Sequence, residues 1–299
     1  MAVYYYGVQQ GIYTKYGISL DIQSGRGSTV NVAGVASGQI QFAEVDALTA
    51  INAVYRSNIT NIQVLGTYNP NHSNIVMYNA ATIHSVSDLN GKAYSTYVGS
   101  ADINLLKAFV TVNHLNYGSI RIDNASASTY STLVATGKED FAIVPVTVPI
   151  LRADTANQSG IRLGSFPLVD YGMSGLYGYV YIASTNTVQS QPALVQCFLA
   201  ATYESIVAAN HNPSAAINAF NSVNVQAATP TGLQQFQAFW KLVYPNINST
   251  VYQQSPLKVG WIDSTRWNTT VQIGASAFGI NPIPPNLYNL YTNQFNQKP

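Results

Sequence analysis

The chain has 299 residues, of which 47% are hydrophobic and only 8% are charged. This length exceeds one ordinary hydrophobic core and predicts two domains, while the hydrophobic content argues against an intrinsically disordered chain. A net charge of +1 without any basic stretch argues against binding to nucleic acid phosphates. The single cysteine, Cys197, excludes an internal disulfide and a multi-cysteine metal site.

Strand-like and helical patterns alternate along the chain. In the first third, the sequence predicts helices over 4–16, 31–37 and 47–56, and strands over 18–22, 40–45, 62–67 and 75–78. The pattern then restarts, with strands over 93–97, 120–123, 141–144 and 177–183 and helices over 102–113, 130–136 and 146–155. Further helices are predicted over 192–210, 213–220, 231–244 and 263–277. This alternation predicts two α/β units with largely parallel strands, followed by a helical tail.

Four segments, in order along the chain, resemble the motifs of one protein family. Residues 5–18 (YYGVQQGIYTKYGI) resemble an opening helix in which an aromatic pair precedes A-x-x-x-G-[YF]-[FY]-x-x-x-G-[LI]. Residues 35–46 (VASGQIQFAEVD) are similar to ALASGQADFGxxD, residues 83–92 (IHSVSDLNGK) to I-x-S-x-x-DLKGK, and residues 133–142 (LVATGKEDFA) to LLAGKVDA. The family is that of the periplasmic-type ABC transporter solute-binding proteins for alkanesulfonates, nitrate, taurine and thiamine pyrimidine precursors.

The resemblance implies a two-lobe, periplasmic-binding-protein-like (type II) α/β fold. Each lobe would be a mostly parallel sheet flanked by helices, and the C-terminal tail would be helical. Lobe one is expected to contain residues 1–76 and 184–299, and lobe two residues 77–183. Hinge crossovers are expected near 78–82 and 183–187. One departure is Gln41, which stands where the family usually has an acidic residue.

The same resemblance implies a binding protein and not an enzyme. Such a protein would capture a small-molecule ligand between its lobes, as a monomer without cofactor, and deliver it to an ABC transporter permease in the membrane. An extracytoplasmic location is expected, with the leader peptide absent from this chain. Glycosylation-type triplets agree with an exported protein; they begin at Asn58, Asn71, Asn124, Asn157, Asn248 and Asn268.

A ligand site is expected beyond the carboxyl ends of the strands, where helix N-termini present unpaired N–H groups. Three polar segments fall at such positions, namely residues 27–29, Asp46 and residues 100–102. Tyrosines add flat apolar faces with a polar tip, which suit a small aromatic ligand. The predicted ligand-binding residues are Tyr5, Gln9, Gly27, Ser28, Thr29, Asp46, Ser100, Asp102, Pro145, Tyr171 and Tyr177.

Several alternatives stay open or are disfavoured at this point. The histidines are scattered without paired spacing, which argues against a metal site, and Val30 breaks the dinucleotide fingerprint that Gly25-x-Gly27 would begin. An enzyme branch of the family makes the thiamine pyrimidine with a cysteine-rich motif, which a chain with one cysteine lacks. A ligand-sensing or surface-interaction module of the same fold is the alternative function. The ligand is a thiamine-pyrimidine-like precursor or a sulfonate or oxyanion, and the scarcity of basic residues favours the pyrimidine.

Overall fold

The computed structural model describes residues 1–223 and 231–299 as an α/β structure with two β-sheets. Its strands are β1 (Ala43–Asp46), β2 (Ile62–Thr67), β3 (Asn74–Asn79), β4 (Ala93–Tyr97), β5 (Arg121–Ala125), β6 (Phe141–Pro145), β7 (Leu163–Pro167) and β8 (Tyr179–Ser184). Its helices are α1 (Ala2–Gln9), α2 (Ile12–Lys15), α3 (Ser28–Ala36), α4 (Ala47–Arg56), α5 (Asp102–Val112), α6 (Tyr130–Ala135), α7 (Val148–Gln158), α8 (Thr185–Ser190), α9 (Pro192–His211), α10 (Pro213–Asn221), α11 (Thr231–Val243), α12 (Thr250–Gln254), α13 (Ser264–Phe278) and α14 (Pro285–Tyr288).

One strand in each sheet runs against the others. The three-stranded sheet has the order β1-β8-β2, with β8 antiparallel to both neighbours. The five-stranded sheet has the order β5-β4-β6-β3-β7, in which β4 is parallel to β5 and β6, and β3 is antiparallel to β6 and β7. This arrangement, together with the mainly helical C-terminal region, confirms the predicted fold class.

The two antiparallel strands, β3 and β8, are the strands that the chain enters after passing from one sheet to the other. The passages are residues 68–73 and 171–178, and they lie side by side, because the Gly178 N–H donates to the Asn69 carbonyl at 3.0 Å. Both passages therefore lie one strand earlier in the chain than the hinges predicted near 78–82 and 183–187. Strand β3 lies wholly in the five-stranded sheet and β8 wholly in the three-stranded sheet. The division of the chain into moving lobes stays a prediction.

Two hydrophobic clusters hold the sheets and helices together. The larger one joins buried residues of both sheets with helices α4, α5 and α13, and includes Leu48, Phe109 and Trp267. The second packs α1, α9 and α10 against the three-stranded sheet. In the described part of the chain, α9 is the one helix long and apolar enough to span a membrane, but 61% of that stretch is buried inside the protein. Burial of this kind is typical of a core helix.

The N-terminal segment differs from its prediction in two ways. The helix predicted over 4–16 is two helices, because Gly11 adopts a left-handed φ of 70° between α1 and α2. Residues 18–22, predicted as a strand, pair with neither sheet. Leu20 instead packs against the cluster around α9. The alternation of apolar residues there reflects packing against helices.

Candidate functional site

A cavity of about 200 Å³ lies between the two sheets, at the ends of β4 and β6 and at the beginnings of β3 and β8. Residues from both sheets and from the loop before α3 line this cavity. They are Gly25, Gly27, Ser28, Asn31, Glu44, Asn74, Tyr97, Ser100, Ala101, Asp102, Tyr130, Ile143, Pro145 and Tyr179. This is the edge of the sheets at which α/β proteins bind their ligands.

Two glycine-containing loops touch beside the cavity, one from each side. Gly27 has a φ of 103°, and a Cβ atom added to it would lie 2.1 Å from the carbonyl oxygen of Gly99. Gly99 has a φ of 87°, and its added Cβ would lie 3.0 Å from the carbonyl oxygen of Arg26. Only glycine permits both the left-handed backbone and this close approach. The structure therefore describes a cleft whose two rims are in backbone contact.

Asp102, at the beginning of α5, is the cavity residue with the most unusual environment. Its side chain is buried, and its Oδ1 accepts a hydrogen bond from the Thr96 hydroxyl at 2.7 Å. Its Oδ2 has no hydrogen-bond partner among the described residues. Burial raises the pKa of Asp102 to about 6, and the neighbouring hydroxyls of Thr96, Ser100 and Tyr94 partly offset this rise. A carboxyl group with an unpaired oxygen beside a cavity is prepared to accept a hydrogen bond from a ligand.

Glu44 brings a second carboxylate to the same cavity, but it is already hydrogen-bonded. The Tyr4 hydroxyl donates to Oε2 at 2.8 Å, and the Tyr68 hydroxyl donates to Oε1. The Tyr4 and Tyr181 hydroxyls lie 2.8 Å apart, which extends this network. Burial and the nearby Glu44 charge raise the pKa of Tyr68 well above its ordinary value, so its hydroxyl stays a donor.

Three tyrosines and an asparagine complete the polar wall. The rings of Tyr97 and Tyr130 lie 5.2 Å apart between centroids, and Tyr179 begins strand β8. None of these three hydroxyls is hydrogen-bonded to a described residue, and neither is Oδ1 of Asn74. Burial raises the pKa of Tyr130 and Tyr179 above the ordinary value, which keeps both hydroxyls protonated. The cavity thus offers hydroxyl donors and carboxyl and amide acceptors within aromatic walls.

Asp46 lies behind the cavity wall, although the sequence placed it at the cleft. Its Oδ1 accepts the Thr49 N–H at 3.1 Å and caps α4, and its Oδ2 lies 3.2 Å from Nε2 of His72. Nδ1 of His72 accepts the Asn74 N–H, so the imidazole proton is on Nε2 and points to Asp46. The Ser28 hydroxyl accepts from the Asp46 N–H. Because the acid lies between the serine and the histidine, the three do not form a nucleophilic triad.

The structure brings together part of the predicted site. Gly27, Ser28, Ser100, Asp102 and Pro145 line the cavity. The other predicted residues lie outside its lining, and they are Tyr5, Gln9, Thr29, Asp46, Tyr171 and Tyr177.

The predicted tyrosines outside the cavity have packing partners. The Tyr5 ring lies 5.8 Å from that of Phe220, and the Tyr171 ring lies 5.1 Å from that of Phe166. The Tyr177 hydroxyl accepts the Asp263 N–H at 2.8 Å. Gln9 and Thr29 are exposed on the surface.

Nine residues of the cavity lining are not among the predicted ligand-binding residues, and they are Gly25, Asn31, Glu44, Asn74, Tyr97, Ala101, Tyr130, Ile143 and Tyr179. Asn74 and Tyr179 are the first residues of β3 and β8, which run away from the cleft. The direction of these strands was the missing signal, since a strand that runs backwards brings its beginning to the site. No group of three His, Cys, Asp or Glu residues within residues 1–223 and 231–299 is arranged to hold a metal ion.

Comparison with known proteins agrees with this architecture. The family model described as NMT1/THI5 like matches residues 1–216. No curated protein matches the chain significantly. The Candida albicans CA3427 gene product, described as having the generic periplasmic binding protein fold, is 14% identical with a TM-score of 0.70, over 100% of this chain and 94% of its own.

Two further solved structures are informative. The alkanesulfonate-binding protein SsuA from Xanthomonas axonopodis pv. citri, bound to MOPS, is 11% identical with a TM-score of 0.70, over 98% of this chain and 94% of its own. The desulfurization enzyme DSZB is 14% identical with a TM-score of 0.59, over 98% and 94% of the two chains. At such identities the likeness shows the fold alone, and it confirms the predicted periplasmic-binding-protein-like architecture.

Proposed function

Because this chain belongs to the NMT1/THI5-like family, we propose that it is a binding protein that encloses a small amine-bearing aromatic solute, of the aminopyrimidine type, between its two sheets. One observation carries the proposal. The cavity is lined from both sheets and presents the carboxyl groups of Glu44 and Asp102, and the described residues that line it include no lysine, arginine or histidine. Such a site favours a ligand that is neutral or cationic and donates hydrogen bonds.

The main competing ligand is a sulfonate or another oxyanion, as the name of SsuA indicates for that protein. Helices α3 and α5 begin at the cavity, and each N-terminus favours an anion by about 0.3–1 kcal/mol. A carboxylate about 4 Å from an anion costs about 4 kcal/mol at an effective dielectric constant of about 20. The two carboxyl groups therefore outweigh the helix termini, and a sulfonate is disfavoured near neutral pH.

The aromatic side chains add the preference for a flat ligand. Tyr97, Tyr130 and Tyr179 each offer a ring face and an unpaired hydroxyl at the cavity. An aminopyrimidine has a planar ring with amine donors and ring nitrogen acceptors. Its amine would donate to Oδ2 of Asp102, and its ring nitrogens would accept from tyrosine hydroxyls.

Binding without chemical conversion is part of the proposal. Among the described residues, the cavity lining contains no cysteine, histidine or lysine that could act as a nucleophile, and Cys197 lies on α9 outside it. The carboxyl groups of Asp102 and Glu44 could each exchange a proton, but the Tyr4 and Tyr68 hydroxyls already hydrogen-bond both oxygens of Glu44. DSZB shares the fold and is an enzyme, so turnover has to be tested directly in each binding assay.

We further propose the transport role of such binding proteins. The ligand would close the two lobes on an extracytoplasmic protein, and an ABC transporter permease would recognise the closed form. Loss of solute uptake after deletion of the gene would support this role. A ligand-sensing module would instead bind the solute with equal affinity and leave its uptake unchanged.

The direct test is thermal unfolding at pH 7.5 with 4-amino-5-hydroxymethyl-2-methylpyrimidine, ethanesulfonate and nitrate. A true ligand at 100 times its Kd stabilises the folded state by about 2.7 kcal/mol. We expect the pyrimidine alone to do so, and we expect Asp102→Asn to remove the effect. Asp154→Asn removes the same charge from an exposed site outside the cavity and serves as the matched control. Stabilisation by ethanesulfonate that survives Asp102→Asn would contradict the proposed ligand class.

A further inference from the structure

A second concave site lies at the far ends of helices α4 and α5, away from the cavity between the sheets. This groove has a volume of about 520 Å³, and the end of α13 closes one side of it. Its polar residues include Arg56 on α4 and Lys107 on α5, and Tyr117 and Phe278 supply aromatic surface. No residue of the cleft cavity takes part in it.

The charge of this groove is opposite to that of the cleft. The described residues that line it include two cationic side chains and no carboxylate. The ion pairs in the described part of the chain involve Lys15, His72 and Arg121 as the basic partners, so Arg56 and Lys107 have no carboxylate partner there.

Most hydrogen-bond donors of these two side chains are free. Arg56 donates one N–H to the Phe278 carbonyl, which leaves the rest of its five donors without a described acceptor. Nζ of Lys107 forms no hydrogen bond with a described residue and lies 5.9 Å from the centre of the Tyr117 ring. The Tyr117 hydroxyl is likewise unpaired in the described residues, and burial raises its pKa. These groups match the acceptors of a carboxylate, phosphate or sulfonate.

We propose that this groove binds a small organic anion. Lys107 and Arg56 hold the charged group, and Tyr117 and Phe278 contact the apolar body. An inorganic ion would satisfy the cations alone, and the aromatic lining adds a preference for an organic ligand. The groove and the cleft therefore select ligands of opposite charge.

An anion in this groove would connect the parts of the molecule that also form the cleft. Helix α4 packs against β1, whereas α5 packs against β6 in the other sheet. Between cleft and groove the two helices are joined by side-chain hydrogen bonds, from Asn104 to Thr49 and from Asn52 to Asn104, each at 3.1 Å. An anion bound by Arg56 and Lys107 adds a third link between α4 and α5.

Isothermal titration at low salt with phenyl phosphate, inorganic phosphate and phenol tests the proposal. We expect phenyl phosphate to bind, inorganic phosphate to bind more weakly and phenol not to bind. Lys107→Gln should weaken phenyl phosphate roughly tenfold, because a charge-assisted hydrogen bond is lost. Lys138→Gln removes an exposed lysine outside the groove and should leave the affinity within about twofold.

Lys107→Gln keeps the test independent of folding, because its ammonium group has no hydrogen bond in the described structure to lose. Arg56→Gln serves as the second variant and should weaken phenyl phosphate as well. Absence of phenyl phosphate binding to the unaltered protein would overturn the proposal. Equal affinity for the Lys107→Gln protein would also overturn it, since the anion would then lie elsewhere. Equal affinity for inorganic phosphate would overturn the assignment of an organic ligand.

Discussion

Two strand-to-helix junctions, one from each sheet, carry an aspartate near the cleft, and the two aspartates differ in their hydrogen bonding. At the end of β1, Asp46 is fully buried with one carboxyl oxygen on Thr49 and the other facing His72. At the beginning of α5, Asp102 has one oxygen on Thr96 and the other without a described partner. An acid whose hydrogen bonds are all satisfied stabilises the fold, whereas one left unpaired at a cavity is available to a ligand at a cost in stability.

The first way to break this comparison is Asp46→Ala, for which we expect the largest effect on stability. Loss of the helix cap costs about 1 kcal/mol, and an unpaired buried imidazole N–H costs about 1–3 kcal/mol. The free energy of unfolding should therefore fall by about 2–4 kcal/mol in urea denaturation. Asp46→Asn keeps a cap acceptor and should lose less. A loss of stability below about 1 kcal/mol together with abolished ligand binding would show that Asp46 is a ligand-binding residue and not a structural one.

Asp102→Asn should raise the free energy of unfolding, which is the opposite of the effect expected for Asp46→Ala. The pKa of Asp102 is raised to about 6 in the folded protein, so the folded state binds this proton more readily than the unfolded state. Its ionisation lowers stability as pH rises through about 6, and the penalty is relieved as pH falls towards about 4. At pH 7 the variant should be more stable than the unaltered protein by up to about 3 kcal/mol, and at pH 4 nearly equal.

Unfolding free energies of both proteins at pH 7 and pH 4 check this expectation. If the variant is less stable at pH 7, the carboxylate of Asp102 is stabilised in the free protein and the comparison with Asp46 fails. Ligand binding to the unaltered protein should weaken below about pH 6, because the protonated carboxyl group loses its charge.

The sequence was sufficient for the fold class, because four segments resemble the motifs of one family and the pattern of apolar residues indicates most of the strands and helices. It was also sufficient to predict that Ser28, Ser100 and Asp102 lie at the cleft, because helices that begin after strands have their first residues there. It was not sufficient to separate Asp46 from Asp102, because each lies where a strand is followed by a helix. What distinguishes them is His72, which lies 26 positions further along the chain and meets Asp46 only in the folded protein.

The sequence was also not sufficient to show which tyrosines line the cavity. Composition gives 21 of them without indicating which face the cleft. Tyr177 lies in the passage back to the three-stranded sheet, and its hydroxyl accepts the Asp263 N–H, whereas Tyr179, two residues later, lines the cavity. The exact position at which β8 begins decides between them, and a pattern of alternating residues does not fix that boundary to within two positions.

Gly27 lies where the two sides of the cleft meet, and Gly27→Ala should have an intermediate effect on ligand affinity. Gly38→Ala is its matched control, because Gly38 also has a positive φ, of 77°, but an added Cβ there meets no atom within 4 Å. Backbone strain should cost Gly38→Ala about 1–2 kcal/mol. It should cost Gly27→Ala about 1–3 kcal/mol, because almost only glycine adopts a φ of 103° with a ψ of 154°, and the contact with Gly99 adds to this loss of stability. Only Gly27→Ala forces a methyl group against the Gly99 carbonyl, so only this variant should lose about tenfold or more in ligand affinity. Equal affinities would show that the contact between the two loops does not matter for binding.

We expect the smallest effects on stability and ligand affinity for Tyr179→Phe. This variant tests whether the strand beside Asp46 contributes a ligand donor. Tyr179 pairs with Asp46 across β8 and β1, and its hydroxyl has no described partner at the cavity. Loss of this hydroxyl should change stability by less than about 0.5 kcal/mol. It should weaken ligand binding by about 0.5–1.5 kcal/mol, which is a roughly two- to twelvefold loss of affinity.

Tyr203→Phe is the control for this last variant, because the Tyr203 hydroxyl is also buried and unpaired in the described structure but lies outside the cavity. Its removal should leave ligand affinity nearly unchanged and should raise stability by up to about 1–3 kcal/mol, because a buried hydroxyl without a partner destabilises the folded state. Calorimetric titration of the two variants separates the effect of a hydroxyl at the cavity from that of a hydroxyl elsewhere in the core. If both variants bind as the unaltered protein does, the hydroxyl of Tyr179 is not a ligand donor. The first junction would then contribute only a buried, satisfied aspartate, and recognition would rest on the Asp102 side of the cleft.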